Sequence, residues 1–198
     1  MPTVVVPFRG AEGKSRLNQL QLEVRIALNE AMLADVLAAC ATLGETYVVS
    51  AAKLAIGVSA TIVADPGRGQ GAAVVAGLDA AVAAGAHAPY LVVNADLPCV
   101  TPRDVLALSG AIPDHGLAVA RATDGTTNAL ALASAGLFAP VYGPDSAVRF
   151  LALAPSRVVD APNLIDDVDT VADLLRLGQR LGPHTRELLA RVRLDAAA

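Results

Sequence analysis

Tryptophan is absent from this chain of 198 residues, and the aromatic complement is three Tyr and three Phe. Stacking platforms for nucleobases are therefore scarce. A net charge of −4 supplies no basic stripe either, so a nucleic-acid partner is not expected. Cysteine is almost as rare: Cys40 and Cys99 lie far apart with no C-x-x-C pair, which excludes a disulfide framework and a thiolate zinc site and leaves two small buried hydrophobes. His87, His115 and His184 have no Ser, Cys or Asp at a revealing spacing, so neither a hydrolytic triad nor an H-E-x-x-H metal motif is present. Long apolar runs are missing too. The stretch Ala72 to Ala86 is broken by Asp79 and falls short of the roughly 18 to 20 residues that cross a bilayer. Met1 to Pro7 lack the basic start of a signal peptide, so a cytoplasmic protein without a membrane partner is expected.

What the chain does have is apolar material: 54% of its residues are hydrophobic and 17% charged. That composition suits one compact domain, expected over residues 1–198, and is foreign to disorder or a coiled coil. Short β-branched runs alternate with helical patterns. Thr3 to Val6, Tyr47 to Ser50, Gly57 to Val63 and Tyr90 to Val93 read as strands, the last as an apolar strand buried on both faces. Val24, Leu28, Met32, Val36 and Cys40 recur every four residues, predicting a helix that Gly44 stops. Gly71 to Ala84 reads as a second helix, and Thr101-Pro102 as the capped start of a third. Leu117 to Arg121 and Asn128 to Ala133, split by Thr123-Asp124-Gly125, predict a hairpin. Ser146 to Leu153 is expected to be helical, Arg157 to Val159 a last strand, and Asp169 to Leu181 and His184 to Val192 a closing pair of helices. The fold class is thus α/β, a three-layer sandwich with a mostly parallel central sheet, and ligands are sought in the loops beyond the carboxyl ends of its strands.

Two such loops are rich in glycine. Arg9 to Arg16 carries Arg9, Lys14 and Arg16 with Gly10 and Gly13, a flexible cationic backbone suited to a polyphosphate. It is not a P-loop, because Phe8 stands where that motif needs its first glycine. Asp65 to Ala72 contains Gly67-x-Gly69-x-x-Ala72, which satisfies the looser dinucleotide fingerprint and keeps a dinucleotide-dependent oxidoreductase open as an alternative. Its amides, around Gly69 and Gly71, suit a phosphate or a purine edge.

The acidic residues form a separate pattern. In Asn94-Ala95-Asp96-Leu97-Pro98 a buried strand runs straight into a carboxylate. In Asp166-Asp167-Val168-Asp169-Thr170 the two-residue spacing of Asp167 and Asp169 can aim both at one cation, unless Asp169 merely caps the following helix. Asp96, Asp167 and Asp169 together make an all-oxygen site suited to Mg²⁺. Thr123 to Asn128 and Tyr142 to Ser146 are small and hydroxyl-rich, and serve equally as turns or as ligands of a phosphorylated acid.

The ordered set Val4-Val5-Val6-Pro7-Phe8, Lys14-Ser15-Arg16-Leu17, Asn94-Ala95-Asp96-Leu97-Pro98, Gly125-Thr126-Thr127-Asn128-Ala129-Leu130, Tyr142-Gly143-Pro144-Asp145-Ser146 and Asp167-Val168-Asp169-Thr170 resembles the CofC/FbiD guanylyltransferases of coenzyme F-420 biosynthesis, relatives in fold of the molybdenum-cofactor nucleotidyltransferases. The resemblance implies a nucleotide-diphospho-sugar transferase-like, Rossmann-type fold and transfer of GMP from GTP to phosphoenolpyruvate with loss of pyrophosphate, the alternatives being 2-phospho-L-lactate as acceptor or a molybdenum-cofactor-type nucleotidyltransferase. By motif it implies Mg²⁺ on Asp96, Asp167 and Asp169, the acid on Thr127, Gly143 and Ser146, and the triphosphate on Lys14 and Arg16, which with Asp96 would be catalytic. Arg9, Gly69 and Gly71 complete the expected nucleotide contacts, and a homodimer is an allowed assembly. The second Gly-rich loop departs from the family pattern, with Arg68 and Gln70 where an Asn-containing segment is expected.

Overall fold

A computed structural model describes residues 1–10, 17–52, 54, 57 and 59–192. Seven strands form one sheet: β1 (Thr3–Phe8), β2 (Glu45–Ser50), β3 (Thr61–Ala64), β4 (Tyr90–Val93), β5 (Leu117–Arg121), β6 (Thr127–Leu132) and β7 (Ser156–Val158), in the spatial order β3-β2-β1-β4-β6-β5-β7. All neighbours are parallel except β4 with β6 and β5 with β6. β6 alone runs against the rest.

The helices are α1 (Leu22–Cys40), α2 (Gln70–Ala83), α3 (Pro102–Gly110), α4 (Ser146–Leu151), α5 (Pro162–Ile165), α6 (Val171–Leu177) and α7 (Pro183–Arg191). Side chains alternate across the sheet, so β1 sends Val4, Val6 and Phe8 to a core shared with α1, α3 and α5, and Val5 to the opposite core under α2 and α4. That is the three-layer sandwich. β4, with all four residues buried, is apolar throughout because both its faces are covered. A third cluster joins Leu17, Leu28 and Met32 to Leu174, Leu177 and Leu181 and takes in Cys99 and Val168. No described helix is long and apolar enough to cross a membrane.

Boundaries differ from the sequence expectation where tertiary contacts decide them. α1 ends at Cys40 with Ala41 as C-cap. Gly44 lies beyond its end, required because a Cβ there would fall 1.8 Å from the Pro2 carbonyl oxygen. The span expected as Asp169 to Leu181 divides into α6 and a 3-10 turn at Gly178–Arg180. Its N-cap is Thr170, whose hydroxyl accepts from the Asp173 amide while the Asp173 carboxylate accepts from the Thr170 amide. The cap is therefore Thr170 and not Asp169.

Candidate active site

Topology gathers the loops. β1, β2, β3, β4, β5 and β7 all point their carboxyl ends to one edge of the sheet, where ligands bind in this class. Because β6 is reversed, it presents its amino end there. With Val93 opposite Ala129, Thr127 reaches two residues beyond the end of β4.

Three carboxylates meet at this edge. Asp96, Asp167 and Asp169, all half-buried, each offer an oxygen within 4.8 Å of the others. Oxygens on one octahedral Mg²⁺ are about 3.0 Å apart when cis and about 4.2 Å when trans, since each bond is about 2.1 Å, so the three carboxylates would have to draw closer to share one cation. Among the described residues the group is made of carboxylates alone, a donor set of the kind hard cations take. Two backbones are tied to make this meeting: the Val168 amide donates to the Asp96 carbonyl at 3.0 Å, and the Gly182 amide to the Pro98 carbonyl at 2.7 Å.

The acidic run is sorted by its neighbours. Asp166 turns away and places one carboxylate oxygen on Arg176 and the other on Arg180, both at 2.7 Å. Burial raises its affinity for a proton, but these two guanidinium groups outweigh burial and hold it below its ordinary value. Asp173 is held low in the same sense, by its bonds to Thr170 and Asp169 and by Arg176, against the opposing effect of burial.

A cleft of about 220 Å³ opens beside the carboxylates, lined by Phe8, Arg9, Gly10, Asn29, Gln70, Asn94, Asp96 and Asp169 among others. Arg9 and the second Gly-rich loop meet here: a Cβ on Gly69 would lie 3.2 Å from an Arg9 guanidinium nitrogen, and Gly69 has φ +95°. Gly71, in the first turn of α2, has no room for a side chain, since a Cβ would come 2.6 Å from Cβ of Pro140. Pro140 leads into the Tyr142 to Ser146 loop, so the two loops are in contact. Gln70 donates from Nε2 to Asn94 Oδ1 at 2.8 Å, and Asn94 donates from Nδ2 to the Thr127 carbonyl at 3.1 Å.

On the far side of this relay, Ser146 is fully buried and donates its hydroxyl to Thr127 Oγ1 at 3.0 Å. The Ser146 amide donates to the Gly143 carbonyl at 3.1 Å. The three residues expected to take a phosphorylated acid thus stand together. Arg149 braces their loop through the Val141 and Tyr142 carbonyls. Asp124 accepts from the Thr126 amide and hydroxyl, which makes the hairpin turn an Asx turn. Cys40 and Cys99 are buried thiols, pushed by burial to about 12 and about 11. Lys14 and Arg16 lie outside the described residues.

Asn29, Gln70 and Asn94 had no assigned role from sequence. Asn29 carried a faint signal, a polar residue four before Leu33 and eight before Leu37 on the apolar face of α1. The dinucleotide fingerprint follows β3, an edge strand, and not the central first strand that such cofactors use.

A mostly parallel sheet with one reversed strand, Arg9 after β1 and carboxylates beyond β4 and β7 is an arrangement that fits a nucleotidyltransferase. The MobA-like NTP transferase domain family matches residues 13–151. The fold is that of the nucleotide-diphospho-sugar transferases: a structure assigned to that group, from Desulfovibrio desulfuricans G20, superposes with TM-score 0.71 over 96% of this chain and 94% of its own, at 16% identity. Sequence relatives narrow the class. Phosphoenolpyruvate guanylyltransferase of Roseiflexus castenholzii is 35% identical over 94% of this chain and 92% of its own length. The protein of the same name from Nocardia farcinica is 34% identical over 90% and 85%. The chain belongs to the phosphoenolpyruvate guanylyltransferase family.

Proposed function

We propose that this chain transfers GMP from GTP to phosphoenolpyruvate with release of pyrophosphate, for coenzyme F-420 biosynthesis. The observation that supports this reading is the convergence of Asp96, Asp167 and Asp169 between two dissimilar subsites. On one side stand Arg9 and the amides around Gly69 and Gly71, on the other the buried Ser146–Thr127 hydroxyl pair with Gly143. A cationic side suits a triphosphate, and a small hydroxyl-lined side suits a phosphorylated three-carbon acid.

In this reading an oxygen of the acid's phosphate attacks the α-phosphorus of GTP, and the bond from that phosphorus to the α–β bridging oxygen breaks. Phosphate monoesters have a second pKa of about 6, so the nucleophile is already ionised near neutrality and needs no general base. The reaction requires alignment of two anions and compensation of their charge. Lys14 and Arg16, with Arg9, hold the triphosphate; Ser146, Thr127 and Gly143 orient the acid. Mg²⁺ held by Asp96, Asp167 and Asp169 would offset the negative charge where the two phosphates approach.

The test is to incubate the purified protein with GTP, Mg²⁺ and either phosphoenolpyruvate or 2-phospho-L-lactate, measure pyrophosphate and weigh the product. A guanylylated three-carbon acid is expected with phosphoenolpyruvate. Product from phospholactate alone would move the acceptor to that acid, and no pyrophosphate with either would end the proposal.

A further inference from the structure

Asp166, Asp167 and Asp169 crowd one short segment, yet only two of them join Asp96. Asp166 and Val168 alternate with Asp167 and Asp169, as residues of an extended segment do. Val168 is buried in the cluster shared by α1, α6 and α7, and Asp166 is held by Arg176 and Arg180. The segment is fixed at four successive points. Asn128, buried in β6, donates to the Ile165 carbonyl at 2.9 Å; the two arginines take both Asp166 oxygens; the Val168 amide binds the Asp96 carbonyl; and Asp173 accepts from the amides of Asp169 and Thr170.

The arginines also tie this segment to the exit of the Asp96 loop. Arg176 bridges Asp166 and Asp173, the latter at 3.2 Å. Arg180 donates to Asn163 Oδ1 at 3.0 Å, and Asn163 donates to Asp104 Oδ2 at 3.0 Å. Asp104 belongs to the capping box at Thr101, five residues after Asp96. An isolated exposed ion pair stabilises little. Here each guanidinium bonds two residues, Arg176 joining Asp166 to α6 and Arg180 joining Asp166 to Asn163 of α5, so the pairs form a network with defined geometry.

We propose that Arg176 and Arg180 are positioning residues for the carboxylate cluster: by taking both oxygens of Asp166 they fix the orientation of Asp167 and Asp169 and keep a fourth carboxylate out. This rests on the metal-site reading above. Partners one shell away from metal ligands typically change metal affinity by about 10- to 100-fold when removed, and an effect of that order is expected here.

The probe is Mn²⁺ alone, with free ion measured by electron paramagnetic resonance on the full chain without substrate. Arg176→Ala/Arg180→Ala is expected to bind Mn²⁺ about tenfold or more weakly while keeping wild-type circular dichroism and a cooperative melt. Arg180→Lys, which leaves Arg176 in place and keeps a cation at position 180, is expected to weaken binding less than the double variant. Asp166→Asn keeps the shape of the segment and should weaken binding as well, and it serves if the double variant does not fold. Wild-type affinity in a folded double variant or in Asp166→Asn would overturn the proposal. Tighter binding in the double variant would do so too, by making Asp166 a ligand that the arginines withhold. Absence of Mn²⁺ binding by the wild-type chain would instead remove the metal site itself.

Discussion

The Val168 amide donates to the carbonyl oxygen of Asp96 at 3.0 Å, so the backbone that carries Asp167 and Asp169 is hydrogen-bonded to the residue with which they converge. The carboxylates meet because their main chains are bonded, and replacing one side chain should leave that frame standing. Asp96→Asn is therefore expected to stay folded while pyrophosphate release falls by about three orders of magnitude, the loss of roughly 4 kcal/mol of charge stabilisation. A continuous pyrophosphate assay checks this, and near-normal turnover would remove Asp96 from the site.

The Ser146–Thr127 hydroxyl pair sits with no exposure at Ser146. Ser146→Ala is expected to raise KM for the acid about 10- to 100-fold, matching the roughly 1.5 to 3 kcal/mol of a hydrogen bond to a charged group. KM for GTP should stay near the wild-type value. Steady-state kinetics with each substrate varied in turn separates the two effects; a shift in GTP alone would place the acid elsewhere.

Gly182 precedes α7 without a capping side chain, and Asp35 of α1 replaces it by accepting from the His184 and Thr185 amides, both at 2.9 Å. A Cβ on Gly182 would lie 2.2 Å from Asp35 Cγ. Gly182→Ala should cost about 2 kcal/mol, or roughly 4–8 °C in Tm for a chain of this size. Asp35→Ala also loses the cap, and because both changes strike one contact, the double variant should be less damaged than the sum. Thermal melts of the three variants decide it; full additivity would mean the contact does not carry the effect.

Asp166 and Asp173 are held below the ordinary value of 3.8 by their partners. The unfolded chain therefore takes up protons first on acidification. The stabilisation is complete above that value and is lost as pH falls below it. Urea midpoints for wild type and for Arg176→Ala/Arg180→Ala should differ at pH 6 and converge toward pH 3. A difference that persists unchanged at pH 3 would contradict the assignment.

Much of this site was legible from the chain itself. Strand β4 declared itself through four consecutive apolar residues running into Asn-Ala-Asp, and α3 through Thr101-Pro102. The Asp167-x-Asp169 spacing pointed at one cation because period-two geometry is local. What was hidden depended on contacts distant in sequence. Nothing near Asp166 foretells that Arg176 and Arg180 will claim it, since the turn at Gly178–Arg180 is what brings the second arginine round. Gly44 imitated a helix stop, but its reason is the Pro2 backbone. Asn94 is visible as part of a motif, yet its position between Gln70 and Thr127 exists only once β4 and β6 are paired.

The lone reversed strand divides labour across the sheet. In the proposed function, triphosphate handling belongs to loops leaving forward-running strands, whereas the acid would meet the beginning of β6 and the loop before α4. Selection could therefore reshape that hairpin and loop to admit a different small acid while the machinery that activates GTP is inherited intact.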